Sequence, residues 1–226
     1  MYRYETHTHT RPASQCADIA PGELVKFYKE LSYDGIFITN HFLDGNINLK
    51  YRILPYDEQI ELYFADYEEA KKAGDKIGLK VFCGVEMSYK GTDFLVYGLD
   101  KSWYLAHSEI MEMKKIEELS FLIENGALVI QAHPFREARY IDHIRLFPRN
   151  VQGIEVLNAQ RTEFENQMAG IYADNYGLLK FAGSDTHSVG EEYSLAGLEF
   201  DTPVEDERDF VEKVKNNEMK IFVLKK

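Results

Sequence analysis

The chain has 226 residues, 45% of them hydrophobic and 13% aromatic, and a formal net charge of −12. This is the composition of an ordinary globular protein, long enough to bury one large core, and it is read as a single domain over residues 1–226. The acidic balance repels nucleic-acid phosphate and argues against duplex binding, but it leaves a small phosphorylated ligand open because metal ions can invert a local potential.

Apolar, β-forming runs predict strands over 3–8, 35–40, 80–86, 127–132, 152–157, 179–184 and 219–224. Helices are predicted between them. Pro21 is suited to the first turn of one. The stretch 58–77 would put Tyr63, Tyr67, Ala70 and Ile77 on one face. The stretch 108–124 would gather Met113, Ile116, Leu119 and Ile123, and stop at Asn125-Gly126. Two more helices are expected over 162–176 and 206–216. The segment Asp93 to Gly98 follows a turn at Tyr89-Lys90-Gly91, and as a hairpin arm it would bring Asp93 near Glu86. Alternating strands and helices imply parallel strands with right-handed crossovers, and seven such strands could close into a barrel.

Histidines and carboxylates recur at the ends of these strands: His7, His9, His41, Glu86, His133, Asp185 and His187. Residues two apart in a strand face the same side, so His7/His9 and Asp185/His187 can each present two ligands in one direction. Mixed imidazole and carboxylate donors suit zinc, manganese or iron, and their number exceeds one tetrahedral site. A multinuclear, catalytic centre at the C-terminal mouth of a barrel follows as the expectation. The two cysteines, Cys16 and Cys83, form no C-x-x-C pair and suggest neither a disulfide framework nor a zinc ribbon. With no apolar signal core and no bilayer-length apolar run, the expected location is the cytoplasm, away from membranes.

The segments His7-Thr8-His9, Ile38-Thr39-Asn40-His41, Gly84-Val85-Glu86, Ala132-His133-Pro134 and Ser184-Asp185-Thr186-His187 resemble, in order, the motifs of the PHP (polymerase and histidinol phosphatase) family of metal-dependent phosphoesterases. The resemblance covers nearly the whole chain. It implies a distorted seven-stranded (β/α)7 TIM-like barrel holding two or three divalent metals. It also implies that His7, His9, Glu86 and Asp185 hold one metal, and that Glu86 bridges to a second shared with His133. His41 and His187 would hold a third. The chain departs from the family in three places. Asp93 stands where members often carry a histidine and is counted with the metal ligands, though an edge-strand aspartate is equally ordinary. The loop Arg11 to Asp18 lacks a further histidine, leaving Asp18 or Cys16 as substitutes or the third metal loosely held; by themselves both read better as ordinary residues, Cys16 as a small buried hydrophobe. Asn40 replaces an aspartate and removes a negative charge.

Arg136, just past His133-Pro134, is the candidate phosphate contact, because a guanidinium can pair with two phosphate oxygens; Arg11 and Arg139 are weaker ones. Glu86, Asp185 and Arg136 are the residues expected to carry catalysis. Glu155 and Asn158 could orient a ligand histidine or be structural, and His107 and His143 read as surface residues. The expected activity is hydrolysis of a small phosphate ester, such as a histidinol-phosphate-like monoester or a nucleotide, by metal-activated water. The alternative is a degenerate metal-binding module acting as a regulator or scaffold. A metal-dependent C–N hydrolase is a third reading, though no lysine stands out for carboxylation.

Overall fold

A computed structural model describes residues 1–225. Its nine strands form one mixed sheet in the order β7-β6-β5-β4-β3-β2-β1-β8-β9. The strands are β1 (Tyr2–Glu5), β2 (Gly35–Ile38), β3 (Lys80–Tyr89), β4 (Thr92–Tyr97), β5 (Leu128–Ala132), β6 (Gly153–Asn158), β7 (Leu179–Gly183), β8 (Ser194–Phe200) and β9 (Met219–Lys225). The helices are α1 (Pro21–Glu30), α2 (Tyr56–Ile77), α3 (Lys101–Ala106), α4 (Lys115–Glu124), α5 (Glu163–Tyr176) and α6 (Glu207–Lys215).

The sheet curls until its first and seventh strands nearly meet. A bridge between Thr8 and Thr186, with His9 N–H donating to the Thr186 carbonyl at 2.9 Å, closes the gap just beyond both strands. The resulting ring differs from a (β/α)7 barrel. β4 is antiparallel to β3 and to β5, its neighbours. The two-residue turn Lys90-Gly91, with φ of 50° and 82°, supplies the positive-φ pair that a tight hairpin needs. The expected seventh barrel strand, 219–224, is instead the sheet edge β9, hairpinned to β8. β8 lies outside the ring, antiparallel to β1.

Side chains fill the ring below its mouth. Tyr4, Phe37, Phe82, Tyr97 and Phe181 pack with Phe210 of α6, whose ring stands 4.3 Å from that of Phe37. Fully burying each such aromatic contributes roughly 1.5–3 kcal/mol, so this floor is a substantial part of the core. Tyr97 Oη donates to the Thr6 carbonyl at 2.7 Å and ties the floor to the strand that carries the first histidines.

Two helix faces differ from expectation. In α2 the buried face is Ile60, Tyr63, Phe64, Ala70 and Gly74, and Ile77 is exposed at the last turn before Gly78. In the 108–124 stretch a 3-10 turn (Ser108–Glu112) precedes α4, which buries Lys115, Glu118, Leu119 and Leu122 and leaves Ile116 outside. Lys115 is buried because Asp44 and Glu118 pair with its Nζ at 2.9 and 2.7 Å. A paired charge can occupy an interior position that an unpaired one cannot. No helix among the described residues is long and apolar enough to cross a membrane.

Candidate metal centre

The ring's C-terminal ends bring the sequence-predicted residues together. Beyond β1 the chain stays extended, so His7 and His9 both face inward and both are fully buried. Their Nε2 atoms lie 3.2 and 3.4 Å from the two oxygens of Glu86 on β3. They lie 3.5 and 3.3 Å from Oδ1 of Asp185, beyond β7. His133, after β5, places Nε2 3.3 Å from Glu86 Oε1, and His41, after β2, places Nδ1 2.7 Å from Glu86 Oε2. The ring of His187 stacks on that of His9 at 4.3 Å. Three sets of donor atoms each fall within 4.8 Å of one another: His7, Glu86 and His133; His7, His9 and Asp185; and His9, His41 and His187.

The distal nitrogens are fixed by hydrogen bonds. His7 Nδ1 is 2.9 Å from Glu155 Oε1, and His9 Nδ1 is 3.2 Å from Ser14 Oγ. With Nδ1–H donating to a carboxylate, the His7 lone pair sits on Nε2 and points at Glu86 and Asp185. Yet Nε2 of His7, His9 and His133, Nδ1 of His41 and both Glu86 oxygens are buried without a hydrogen-bond partner. Nitrogen lone pairs aimed at carboxylate oxygens repel unless a proton or a cation lies between them, and buried polar groups are otherwise satisfied. These residues therefore fit divalent cations.

The electrostatics agree. Burial pushes the Glu86 carboxyl up, but the His41 and His7 charges outweigh it and hold the group well below the usual carboxylate range. Asp185 is likewise held well down, burial being outweighed by His7 and the contact with His9. Burial, reinforced by the His41 and His187 charges, pushes His9 down to about 3. The backbone is strained at two of these residues: His133 has φ 26° and Asp185 φ 55°. Non-glycine residues rarely occupy that region, and such outliers gather at functional sites where the surroundings hold them in place.

Asp93 stands apart. Its Oδ2 is 2.7 Å from an Arg136 nitrogen but 4.0 Å from His133 Nε2, and its Oδ1 accepts from Ser88 Oγ at 2.7 Å. Arg136 is thereby pinned at the rim of a cavity of about 640 Å³ that also exposes His41, Glu86, Asp185 and His187. Arg11 and Arg139 do not line that cavity, whereas Arg161, which sequence reading passed over, does. The Nε atoms of both Arg136 and Arg161 are buried without partners.

Glu155 supports two histidines, since its Oε2 also accepts the His133 backbone N–H at 3.0 Å and Asn158 Nδ2 at 2.9 Å. Asn40 Oδ1 accepts from Thr10 N–H at 2.7 Å and Ser14 Oγ at 2.8 Å, bracing the His9 loop. Glu5 was missed by sequence reading. It is fully buried and accepts the backbone N–H groups of Thr6, His7 and Ser184, with Tyr28 Oη and Ser184 Oγ on its other oxygen. Burial pushes its carboxyl up to about 7, against the pull of those donors. His107 stacks on Trp103 and His143 pairs with Asp142, both away from the cluster.

A model of a PHP-associated family segment matches residues 163–219. A two-domain protein from Bacteroides vulgatus, described as containing a predicted PHP-like metal-dependent phosphoesterase, superposes with a TM-score of 0.67 at 15% identity over 98% of this chain. The chain thus has the fold of that protein, and its 163–219 segment matches the PHP-associated model. It spans 64% of that two-domain protein. Two further solved structures share this fold. PsfC from Pseudomonas syringae does so at 18% identity, TM-score 0.60, over 99% of this chain and 92% of its own. An amidohydrolase from Chromobacterium violaceum, holding sulfate and no metal, does so at 15% identity, TM-score 0.55, over 83% and 88%. No curated relative matches the sequence.

Proposed function

We propose that this protein is a PHP-type enzyme that hydrolyses a small phosphate ester with the help of two or three divalent ions. The observation that carries the reading is the set of buried, unpartnered imidazole nitrogens facing Glu86 and Asp185. His7, His9, Glu86 and Asp185 would hold one ion, and Glu86 and His133 a second. His41 and His187 would hold a third. When bound, such ions lower the pKa of a water and offset charge on phosphate oxygens. Glu86, with one oxygen toward His7 and His133 and the other toward His9 and His41, is placed to join two positions. Glu155 holds His7 in the tautomer that presents Nε2. Asp93 is better suited to anchoring Arg136 than to ligation, because both its oxygens are already engaged.

Arg136 and Arg161 favour a phosphate over an amide substrate. In an acidic protein, two guanidinium groups with free buried Nε atoms beside the cluster provide planar donors for oxyanion pairing. The cavity admits a monoester or nucleotide-sized ligand. The deciding experiment is a panel of phosphomonoesters, phosphodiesters and N-acyl substrates, assayed with manganese or zinc before and after chelation. Phosphate release that requires metal is expected. Turnover of amides alone, or metal binding with no turnover of any ester, would replace the reading by an amidohydrolase or by a regulatory metal module respectively.

A further inference from the structure

Lys115 of α4 takes no part in the metal centre, yet it is a buried ion. Its side chain is 7% exposed, with Nζ 2.9 Å from Asp44 Oδ2 and 2.7 Å from Glu118 Oε2. Burying charge costs free energy even when it is paired, and apolar residues of similar volume often replace such groups without loss of stability. What this pair holds is therefore informative. The other Asp44 oxygen, Oδ1, accepts the Ser88 backbone N–H at 3.1 Å. Ser88 Oγ donates to Asp93 Oδ1 at 2.7 Å, and Asp93 Oδ2 accepts from Arg136 at 2.7 Å. A continuous relay thus runs from α4 to the rim of the metal-site cavity. Every link in it has a carboxylate as acceptor, the stronger kind of hydrogen bond.

The backbone explains why Asp44 is needed. Beyond the end of β2, His41 and Glu86 still form a parallel bridge, and Phe42 N–H donates to the Glu86 carbonyl at 2.7 Å. The next β3 donor facing that edge is Ser88 N–H, two residues on. A continuing strand would offer it the Phe42 carbonyl, but the chain turns and Gly45 N–H takes that carbonyl at 2.8 Å. Asp44 Oδ1 stands in its place, a side chain completing the ladder. Ser88 lies directly opposite Asp93 in the β3–β4 pair, which sets its hydroxyl beside the carboxylate. Gly45 leaves the room for it, since a Cβ there would stand 2.8 Å from Ser88 Oγ.

We infer that Lys115 and Asp44 are positioning residues that hold Arg136 beside the metal centre, acting through Ser88 and Asp93. The Arg136 guanidinium has little else to fix it: one nitrogen donates to Asp93 and, at 3.3 Å, to the Gly91 carbonyl, and its Nε has no partner. Lys115 does not line the metal-site cavity, so an effect of its removal on Arg136 passes through Asp44. The consequence for turnover rests on the phosphate-ester reading above; the placement of Arg136 does not.

The test uses phenylglyoxal, which modifies guanidinium groups, on the full chain, with adducts resolved by peptide mass spectrometry. Asp44→Ala breaks the relay but leaves Lys115 paired with Glu118, so no lone charge is buried. Lys115→Met combined with Glu118→Leu breaks it from the other end. Both should speed labelling of Arg136 roughly two- to thirtyfold, the range for substitutions along a coupled network. Neither should speed it further in an Asp93→Asn background, whereas a general loosening would act in both backgrounds. Exposed Arg139 is the internal control. Glu118→Gln, which leaves Lys115 on Asp44, should label as the parent does. With metal added, kcat/KM for phosphate esters should fall by a comparable factor in the parent background and stay level in an Arg136→Ala one. Unchanged Arg136 labelling in Asp44→Ala, or equal increments with and without Asp93, overturns the relay whether or not esters are hydrolysed. Relay-dependent labelling in a protein that turns over no ester upholds the positioning of Arg136 and removes the phosphate-ester reading instead.

Discussion

Glu155 Oε1 accepts the Nδ1 proton of His7 at 2.9 Å while its Oε2 accepts the backbone N–H of His133 at 3.0 Å, so one buried carboxylate sets two of the inward-facing histidines. It does this from β6, a strand that contributes no residue to the three donor clusters. The same carboxylate also receives Asn158 Nδ2, whose second contact is Asp185. A single side chain thus couples the orientation of residues on four different strand ends.

Glu155→Gln is expected to weaken metal affinity by roughly ten- to hundredfold without removing a ligand. The amide places a donor where either His7 or His133 already donates. Competition titration with a chromogenic chelator measures the change. An affinity equal to that of the parent would show that His7 is oriented by the strand alone.

How far the site could be read from the sequence depended on distance. His7-x-His9 was legible because extended backbone aligns residues two apart, whereas Asp185 turns out of the strand with φ 55° and joins a different donor set from His187. Glu155 was visible as a polar residue on a strand, but its partner His7 lies 148 positions away. Glu5 left no local signal, since its donors come from Tyr28 and Ser184 as well as from neighbouring backbone. β8, Ser194–Phe200, was missed because it contains no β-branched residue. The face of α4 was misplaced because Lys115 and Glu118 are buried as a pair, which breaks the apolar period. Strand order was legible in part: the hairpin that brings β4 beside β3 was expected from its turn, but β9, apolar enough to read as a ring strand, pairs only at the sheet edge.

Glu86→Gln should cost more activity than Asp93→Asn, and only the first should deplete metal. Glu86 faces four histidines, whereas Asp93 is occupied by Arg136 and Ser88. Kinetics and metal analysis on the same preparations decide it. Metal loss on Asp93→Asn, or a larger activity loss there, would return Asp93 to the ligand set.

Metal uptake should release protons at neutral pH. In the metal-free protein burial lowers His7 and His41, but Glu155, Asp185 and Glu86 around His7, and Glu86 beside His41, outweigh it and raise both well above 6.5. A ligating imidazole must be neutral, so binding displaces these protons and affinity rises with pH. For the metal-free fold the signs are opposite at the two ends. The raised histidines contribute stability that is complete below 6.5 and is lost as pH climbs through their folded values. The depressed Glu86 and Asp185 contribute stability present above 4.5 and 3.8, which is lost as pH falls through their folded values. Calorimetric metal titrations in buffers of different ionisation enthalpy should report net proton release near pH 7; identical heats would refute it.

Gly183→Ala should destabilise the site from beneath. A Cβ there would stand 2.5 Å from His7 Cβ and 3.0 Å from Glu155 Oε1. Overpacking of this kind costs about 1–3 kcal/mol. For a chain of this size that corresponds to a fall in Tm of roughly 2–12 °C, and chelation should enlarge the fall. A variant as stable as the parent would mean that β1 and β7 can separate at their mouth ends.

Arg136→Ala is expected to lower kcat/KM for phosphate esters roughly ten- to hundredfold, the loss of one charged donor worth about 1.5–3 kcal/mol, with metal content unchanged. Arg136→Lys should recover only part, because it keeps the charge but not the planar fork. Since Asp93 holds the guanidinium at 2.7 Å, Asp93→Asn should act through Arg136. A double-mutant cycle then separates anchoring from ligation. If Asp93 works by placing Arg136, the double variant is barely worse than Arg136→Ala alone, a coupling in the range shown by residues in direct contact. If the two losses add, Asp93 acts independently of the arginine, and the phosphate is held by Arg161 or by the metals without help from this pair.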